Sequence, residues 1–163
     1  MAEKLKDRQA NRLAKQSTPD RRRATLYDEK SCGVVLFREK DGITLYLLLH
    51  YPSGHWDLPK GHVEAGENEH ETAARELLEE TGVSDIQFVE GFREEISYQY
   101  RKEKRPSRKQ VVFFLAKTNL ESIKVSFEHK GFKWLPYTEA VNKLTFENAK
   151  NLLRKAKKIL EGE

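Results

Sequence analysis

At 163 residues the chain is one domain's worth, long enough to bury a substantial core. Charged residues make up 34% and apolar ones 37%, and no apolar run approaches the roughly 20 residues of a membrane span, which excludes a helical membrane protein. The formal net charge of +4 sits unevenly: residues 1–30 hold nine Lys or Arg against five Asp or Glu, while the remainder holds 21 of each. The N-terminus is charged from Glu3 onward and has no apolar signal core, so a cytoplasmic location is expected. Cys32, the single cysteine, cannot form an internal disulfide and reads as a small buried residue.

Residues 1–30 read as a basic extension. Leu5, Leu13 and Ala14 are too sparse for an amphipathic helix, and Ser17-Thr18-Pro19-Asp20 is a turn signal. Arg21-Arg22-Arg23 would suit a nucleic acid or another polyanion, but a solvated tail is the simpler reading and nucleic acid is not the favoured partner. A globular body follows, residues 31–160. Cys32–Phe37 is a buried-strand run, Asp41-Gly42 a turn signal, and Ile43–Leu49 the returning strand, so the pair predicts a hairpin. His50–Gly61 is a loop rich in turn residues with one short extended piece. Past the next helix, Ile86–Val89 and Gly91–Tyr100 read as strands, Arg101–Lys109 as a basic loop, and Gln110–Ala116 as the strongest strand of the chain. Ile123–Phe127 and Gly131–Leu135 are shorter candidates. Two helical patterns close the chain, Tyr137–Leu144 and Phe146–Leu160; in the second, Ala149, Leu152, Leu153, Ala156, Ile159 and Leu160 recur at helical spacing. Strands with one helix in the middle and others at the end predict an α/β protein with its sheet layered between helices.

The stretch Gly61–Val83, GHVEAGENEHETAARELLEETGV, carries the chemistry. Asn68 and Glu71 form an N-x-x-E capping signal, and Gly82 can end the helix in a left-handed turn. Glu76, Glu79 and Glu80 fall at i, i+3 and i+4, so their carboxylates share one face, while Ala73 and Leu77, with Ala74 beside them, lie on others. Glutamates on a helix are ordinarily solvated surface. Stacked like charges destabilise a helix, however, and a divalent cation would compensate. The surrounding pattern favours the cation: G-x5-E-x7-R-E-U-x-E-E-x-G-U is met by Gly61, Glu67, Arg75, Glu76, Leu77, Glu79, Glu80, Gly82 and Val83. With each of the seven fixed places met about one time in fifteen, accident would supply them at on the order of 10⁻⁸ per starting position.

This stretch resembles the Nudix box, without a departure, and the resemblance covers about residues 31–160. It implies an α/β/α sandwich with a mixed sheet and a pyrophosphohydrolase that needs Mg²⁺, with Mn²⁺ as the alternative. The chemistry agrees, because a polyphosphate already carries negative charge and its hydrolysis needs cations to neutralise it and acidify a water. Magnesium takes oxygen ligands, which Glu76, Glu79 and Glu80 supply. The resemblance implies that Arg75 orients a glutamate of the helix, that Glu67 supports the loop or a further metal, and that Gly61 and Gly82 are structural. Glu80 is the choice for the base that takes the proton from water.

The flanks narrow the family. His55-Trp56-Asp57-Leu58-Pro59-Lys60-Gly61-His62-Val63-Glu64 resembles the HW-x-x-PKGHVE run of the diadenosine tetraphosphate (Ap4A) hydrolases of the animal and archaeal type. Glu90-Gly91-Phe92-Arg93 with Tyr98, and Glu128-His129-x-x-Phe132-x-Trp134-Leu135, resemble the same group. The implied reaction is asymmetric cleavage of Ap4A to ATP and AMP. Lys60 is then expected to reach a phosphate oxygen, Glu128 to add a metal ligand, and Tyr98 to stack on adenine. Phe146 is either a second stacking ring or the core anchor of the last helix. Lys109, in the basic loop, and His62 are expected at the polyphosphate, against the simpler readings of solvated tip and local hydrogen bonding. His129 is open to the same two readings, and Trp56 reads as packing. The alternatives keep the fold: hydrolysis of RNA 5′ ends, nucleoside triphosphates or diphosphoinositol polyphosphates, or a non-catalytic nucleotide- or RNA-binding module. Stacking rings are useful only for a base, and a pure binder gains nothing from acids facing phosphates.

Overall fold

Asp41 and Gly42 both take positive φ, 51° and 77°, the twist a two-residue hairpin turn requires. They fold β1 (Glu29–Lys40) onto β2 (Ile43–His50), pairing Lys40 with Ile43, in a computed structural model that describes residues 28–162. The basic extension lies outside the described residues up to residue 27. β1 starts at Glu29, three residues before the strand expected from Cys32, because the backbone N–H of Asp28 already bonds Arg108 (2.9 Å) and Glu29 pairs with Lys109. Eight consecutive residues of β1 are buried, which accounts for its unbroken apolar run: the strand is covered on both faces.

β1 lies between β2 and β6 (Arg105–Lys117), antiparallel to the first and parallel to the second. β5 (Gln87–Lys102) pairs with β6, β7 (Gly131–Pro136) with β2, and β3 (Trp56–Asp57) also with β2. The short β4 (Lys60–His62) pairs with the first half of β1, setting Cys32 opposite Gly61. The loop after β2 thus contains two short strands where one extended piece was expected. One face of this mixed sheet, with Val35, Phe37, Tyr46, Leu48, Val111 and Phe113, is covered by α2 (Tyr137–Lys143) and α3 (Glu147–Leu160). The other, with Cys32, Val34, Leu36, Val112 and Phe114, is covered by α1 (Glu69–Thr81) through Ala73 and Leu77. The expected α/β/α sandwich is formed. Among the described residues no helix is long and apolar enough to cross a membrane.

Three local expectations are corrected. The two strands read at 86–89 and 91–100 are one, broken in register between Phe88 and Arg93 by a bulge where Gly91 takes φ 84°. Arg101–Lys109 is not a loop. β5 and β6 stay paired through Lys102 and Arg105, turning at Glu103-Lys104, whose φ values of 52° and 66° again make a two-residue hairpin turn. Pro106 is tolerated there because β1 no longer flanks β6 and no ladder bond is lost. Ile123–Phe127 is not a strand either. Its donors serve the end of α1: Lys124 N–H bonds Thr81 O and Ser126 N–H bonds Glu80 O, each at 3.0 Å.

Candidate active site

Helix α1 begins as its sequence dictates. The Asn68 side chain accepts from Glu71 N–H (2.8 Å) and the Glu71 carboxylate accepts from Asn68 N–H (3.3 Å), a complete capping box. It ends at Gly82, φ 73°, whose N–H closes on Leu78 O at 2.8 Å. Arg75 is the hub of the helix. Its Nε and Nη2 donate to the two oxygens of Glu67 (2.6 and 3.1 Å), Nη1 to Glu76 (2.9 Å) and Glu79 (3.1 Å), and Nη2 also to His62 O (2.8 Å). Glu67 further accepts from Glu64 N–H and Thr72 Oγ1, so it ties the preceding loop to the helix as expected. The Arg75 guanidinium holds its carboxyl at about 2, well below the ordinary range.

The three helical glutamates share a face but not an environment. The Glu79 side chain is 58% exposed, that of Glu76 16%, and Glu80 as a whole only 7%. Burial, then the charge of Glu76, push the Glu80 carboxyl up to about 8; Glu128 adds to this, and the Lys60 backbone N–H opposes it. Glu76 is raised mainly by burial, against the pull of Arg75. Gly61 explains how Glu76 gets there: a Cβ on Gly61 would collide with the Glu76 carboxyl group. Its role is structural, as expected.

Among the described residues, no three His, Cys, Asp or Glu side chains converge as they stand into a set that could hold a metal. The expected four-glutamate cluster is not closed, because Arg75 draws Glu76 and Glu79 to itself. The donor chemistry nonetheless fits a hard cation. Glu80 Oε2 is buried without a hydrogen-bond partner, its neighbours Glu76 and Glu128 both raise its affinity for a positive charge, and every donor is a carboxylate oxygen. An orphaned oxygen between like charges is what a divalent ion would satisfy.

Lys60, Tyr98 and Phe146, far apart in sequence, line a single cavity of about 360 Å³, within the range of small-molecule sites. Ile96, Val111 and Phe113 of the sheet also line it, with His55 and Asp57 on one side and Asn148, Ala149 and Leu152 of α3 on the other. Tyr98 and Phe146 are 37% and 49% exposed, so Phe146 caps α3 without anchoring the core. Lys109 sits opposite Tyr98 in the β5–β6 register, half-buried. His62 does not line the cavity; its Nε2 lies 3.4 Å from Glu29. His129 satisfies a local bond, Nδ1 to Ser126 Oγ at 3.2 Å, and burial lowers its pKa. Trp56 packs, stacked on His50 (4.4 Å between centroids) with the Lys143 ammonium over its ring. Cys32 is fully buried and its thiol is pushed up to about 11 by burial, which suits packing and not nucleophilic attack.

Two residues at the site carried no individual signal in the sequence. Asp57, nearly buried, accepts from Lys60 Nζ (3.1 Å) and from Leu58 N–H (2.7 Å), so it aims the lysine. Tyr51 donates its hydroxyl to Leu58 O (2.8 Å), and burial raises its pKa well above the usual value, with Glu80, Asp57 and Glu76 adding to the effect. It forms a neutral wall beside Glu80.

A NUDIX domain model matches residues 26–156, and the chain belongs to that family. Among its relatives, the asymmetrical bis(5′-nucleosyl)-tetraphosphatase of Mus musculus is 39% identical over 144 residues, covering 80% of this chain and 95% of that protein. The protein of the same name from Caenorhabditis elegans is 35% identical over 138 residues, covering 82% and 97%. In three dimensions, the crystal structure of a C. elegans Ap4A hydrolase binary complex superposes with a TM-score of 0.73 at 34% identity, covering 83% of this chain and 99% of that one.

Proposed function

We propose that this protein hydrolyses dinucleoside polyphosphates, splitting Ap4A with one water into ATP and AMP. The observation that carries this reading is a juxtaposition. A cavity walled by two accessible aromatic rings and floored by apolar side chains adjoins Lys60, whose backbone amide bonds the buried Glu80 carboxylate, leaving its Oε2 without a partner. The rings suit a nucleobase, which stacks at roughly 1–3 kcal/mol per base. The Lys60 ammonium, aimed by Asp57, suits a phosphate oxygen.

Glu76, Glu79 and Glu80, with Glu128 from the segment after β6, would hold Mg²⁺, or Mn²⁺ in its place. The ion supplies charge neutralisation at the phosphates and a more acidic water. Arg75 positions Glu76 and Glu79 and shares their charge, while Glu67 fixes Arg75. Glu80 takes the proton from the attacking water, a role supported by its buried position beside the Lys60 amide, with Oε2 left without a protein partner. Lys109, beside Tyr98, and His62, beside Glu29, would meet the outer phosphates.

The test is a panel of Ap4A, nucleoside triphosphates and a diphosphoinositol polyphosphate with Mg²⁺, followed by product analysis in ¹⁸O-water. Ap4A should give the highest kcat/KM, with ATP and AMP in equal amounts and label in one product only. Two molecules of ADP, or preference for the inositol compound, would overturn the reading.

A further inference from the structure

A base stacked in the cavity still presents a polar edge, and the two rings cannot bond it. Its ribose and phosphates would leave on the side of Asp57 and Lys60, so the edge remote from the sugar meets the first turns of α3. Of the polar side chains that line the cavity, Asp57 and Lys60 bond each other at 3.1 Å. His55 bonds Ser53 through Nδ1, stacks on Tyr51 and tilts against Phe146, so its ring is part of the wall. Asn148 is left.

Asn148 is the second residue of α3, two positions after Phe146. It is exposed, and its side-chain amide bonds no other described residue. Leu152, one turn further on, is buried and lines the same cavity, so Asn148 stands on the cavity side of the helix. Beyond it lies a polar groove of about 200 Å³ that includes Ser97 and Asn151, and Ile96, Asn148 and Leu152 border both spaces. A neutral amide thus sits where an apolar slot meets a polar groove, offering one acceptor oxygen and two donors. A base that covered it without bonding it would bear the cost of an unsatisfied polar group.

We infer that Asn148 is the residue that reads the base: its side-chain oxygen accepts from the N6 amino group of adenine while its NH₂ donates to the adjoining ring nitrogen, N1 or N7. The assignment rests on the cavity being a nucleotide site and adds to it a preference among bases. Adenine places its donor between two acceptors, so an amide matches it on either edge. Guanine carries two acceptors, O6 and N7, on one edge and matches an amide on the other edge only. Stacking alone accepts every base, because each has a π-face, so the rings do not supply this discrimination. A carboxylate in place of the amide keeps the acceptors and loses the donor. It would suit the N1–H and N2–H pair of guanine and leave the ring nitrogen of adenine unpaired.

The experiment uses Ap4G and Gp4G, in which guanosine replaces one or both adenosines of Ap4A. In Ap4G the two bases compete for one cavity within a single molecule. The ratio of AMP plus GTP to GMP plus ATP then reports which base enters, whatever fraction of a preparation is folded. Four full-length proteins are compared with Mg²⁺: wild type, Asn148→Asp, Asn148→Leu and Asn151→Leu. Asn148→Leu should raise KM for Ap4A about tenfold with kcat within threefold of wild type, the scale of one bidentate pair. Asn148→Asp should raise the ratio of kcat/KM for Gp4G over Ap4A at least about tenfold, and move the Ap4G product ratio by the same factor. Asn151→Leu, which changes the groove alone, should leave both ratios within about twofold. An unmoved product ratio in Asn148→Asp would overturn the assignment, as would an equal shift in Asn151→Leu. Wild-type protein inactive on both Ap4A and Ap4G would sink the proposed function and the assignment with it, whereas an active wild type with an unmoved ratio sinks the assignment alone.

Discussion

The two faces of the sheet are built to opposite rules. On the α1 face, ions are tied down: Lys30 and Arg93 both grip Glu69 (2.8 Å each), Arg75 grips Glu67, Glu76 and Glu79, and Ala73 and Leu77 pack against the sheet. On the α3 face the layer parts near Phe146, leaving a cavity lined by two accessible rings and apolar side chains. Phosphoryl transfer depends on charge held in fixed positions, so the acidic helix is braced from both ends. Stacking on a base, the role proposed for that side, needs room and apolar surface, and the cavity supplies both. Glu80 lies where the two regimes meet: carried by the braced helix, yet supported by little beyond the Lys60 amide.

Breaking that meeting point should have the largest effect. Glu80→Gln should lower kcat for Ap4A by about 10³-fold, within the range of general-base removal, with nucleotide binding within a few-fold of wild type. Stopped turnover with retained AMP binding would be the signature; near-wild-type kcat would remove Glu80 from the chemistry. Calorimetry in buffers of different ionisation heat sharpens the point. At pH 7 a carboxyl with a value of about 8 is mostly protonated, so Mg²⁺ binding should release close to one proton, and none from this position in the variant.

Next in size is Gly61→Ala, which sets a methyl group against the Glu76 carboxyl. The overpacking should cost about 1–3 kcal/mol of stability and about 10²-fold in kcat/KM, read by thermal melts and steady-state kinetics. The open face should respond differently. Tyr98→Ala and Phe146→Ala should each raise KM about tenfold with kcat within threefold, and the double variant should fall short of the product if one base lies between the rings. A loss confined to kcat would place the base elsewhere.

The smallest effect is on stability, and its sign separates the faces. Arg93 and Lys30 hold the Glu69 carboxyl at about 2. A depressed carboxylate stabilises the fold above its ordinary value near 4.5, and that contribution is lost as pH falls towards 2. Glu69→Gln should therefore melt about 2–4 °C lower at pH 7, for a loss of about 1 kcal/mol, with the gap closing in acid. Glu80 runs the other way in metal-free protein. Its raised carboxyl stabilises below the ordinary value, and this is lost as pH rises through about 8, so Glu80→Gln should melt higher than wild type at pH 9.

Legibility followed the range of the interaction. The capping box at Asn68, the left-handed stop at Gly82 and the Asp41-Gly42 turn are local, each settled within four residues, and all were readable. The end of the β5–β6 hairpin was misread because Arg101–Lys109 carries charges and a proline that signal a loop. Its extended form comes from pairing with a partner strand. Ile123–Phe127 has a strand's composition, but its donors were claimed by carbonyls of α1 more than 40 residues earlier. At the site, the residue types of the proposed metal set were visible in their spacing, whereas the inequality among them was not. A helical wheel puts Glu76, Glu79 and Glu80 on one face without telling which meets solvent.

The sequence alone determined the chemistry on offer: a rigid helix of carboxylates, an arginine to brace them, a glycine to admit one, and a lysine at the turn. These follow from residue type and from the fixed geometry of a helix, which depend on near neighbours only. The tertiary structure decided which carboxylate is buried, and that Tyr98 and Phe146 face one cavity across 48 positions of chain. Burial, desolvation and cross-strand register depend on which distant segments pack together, and no local pattern encodes that.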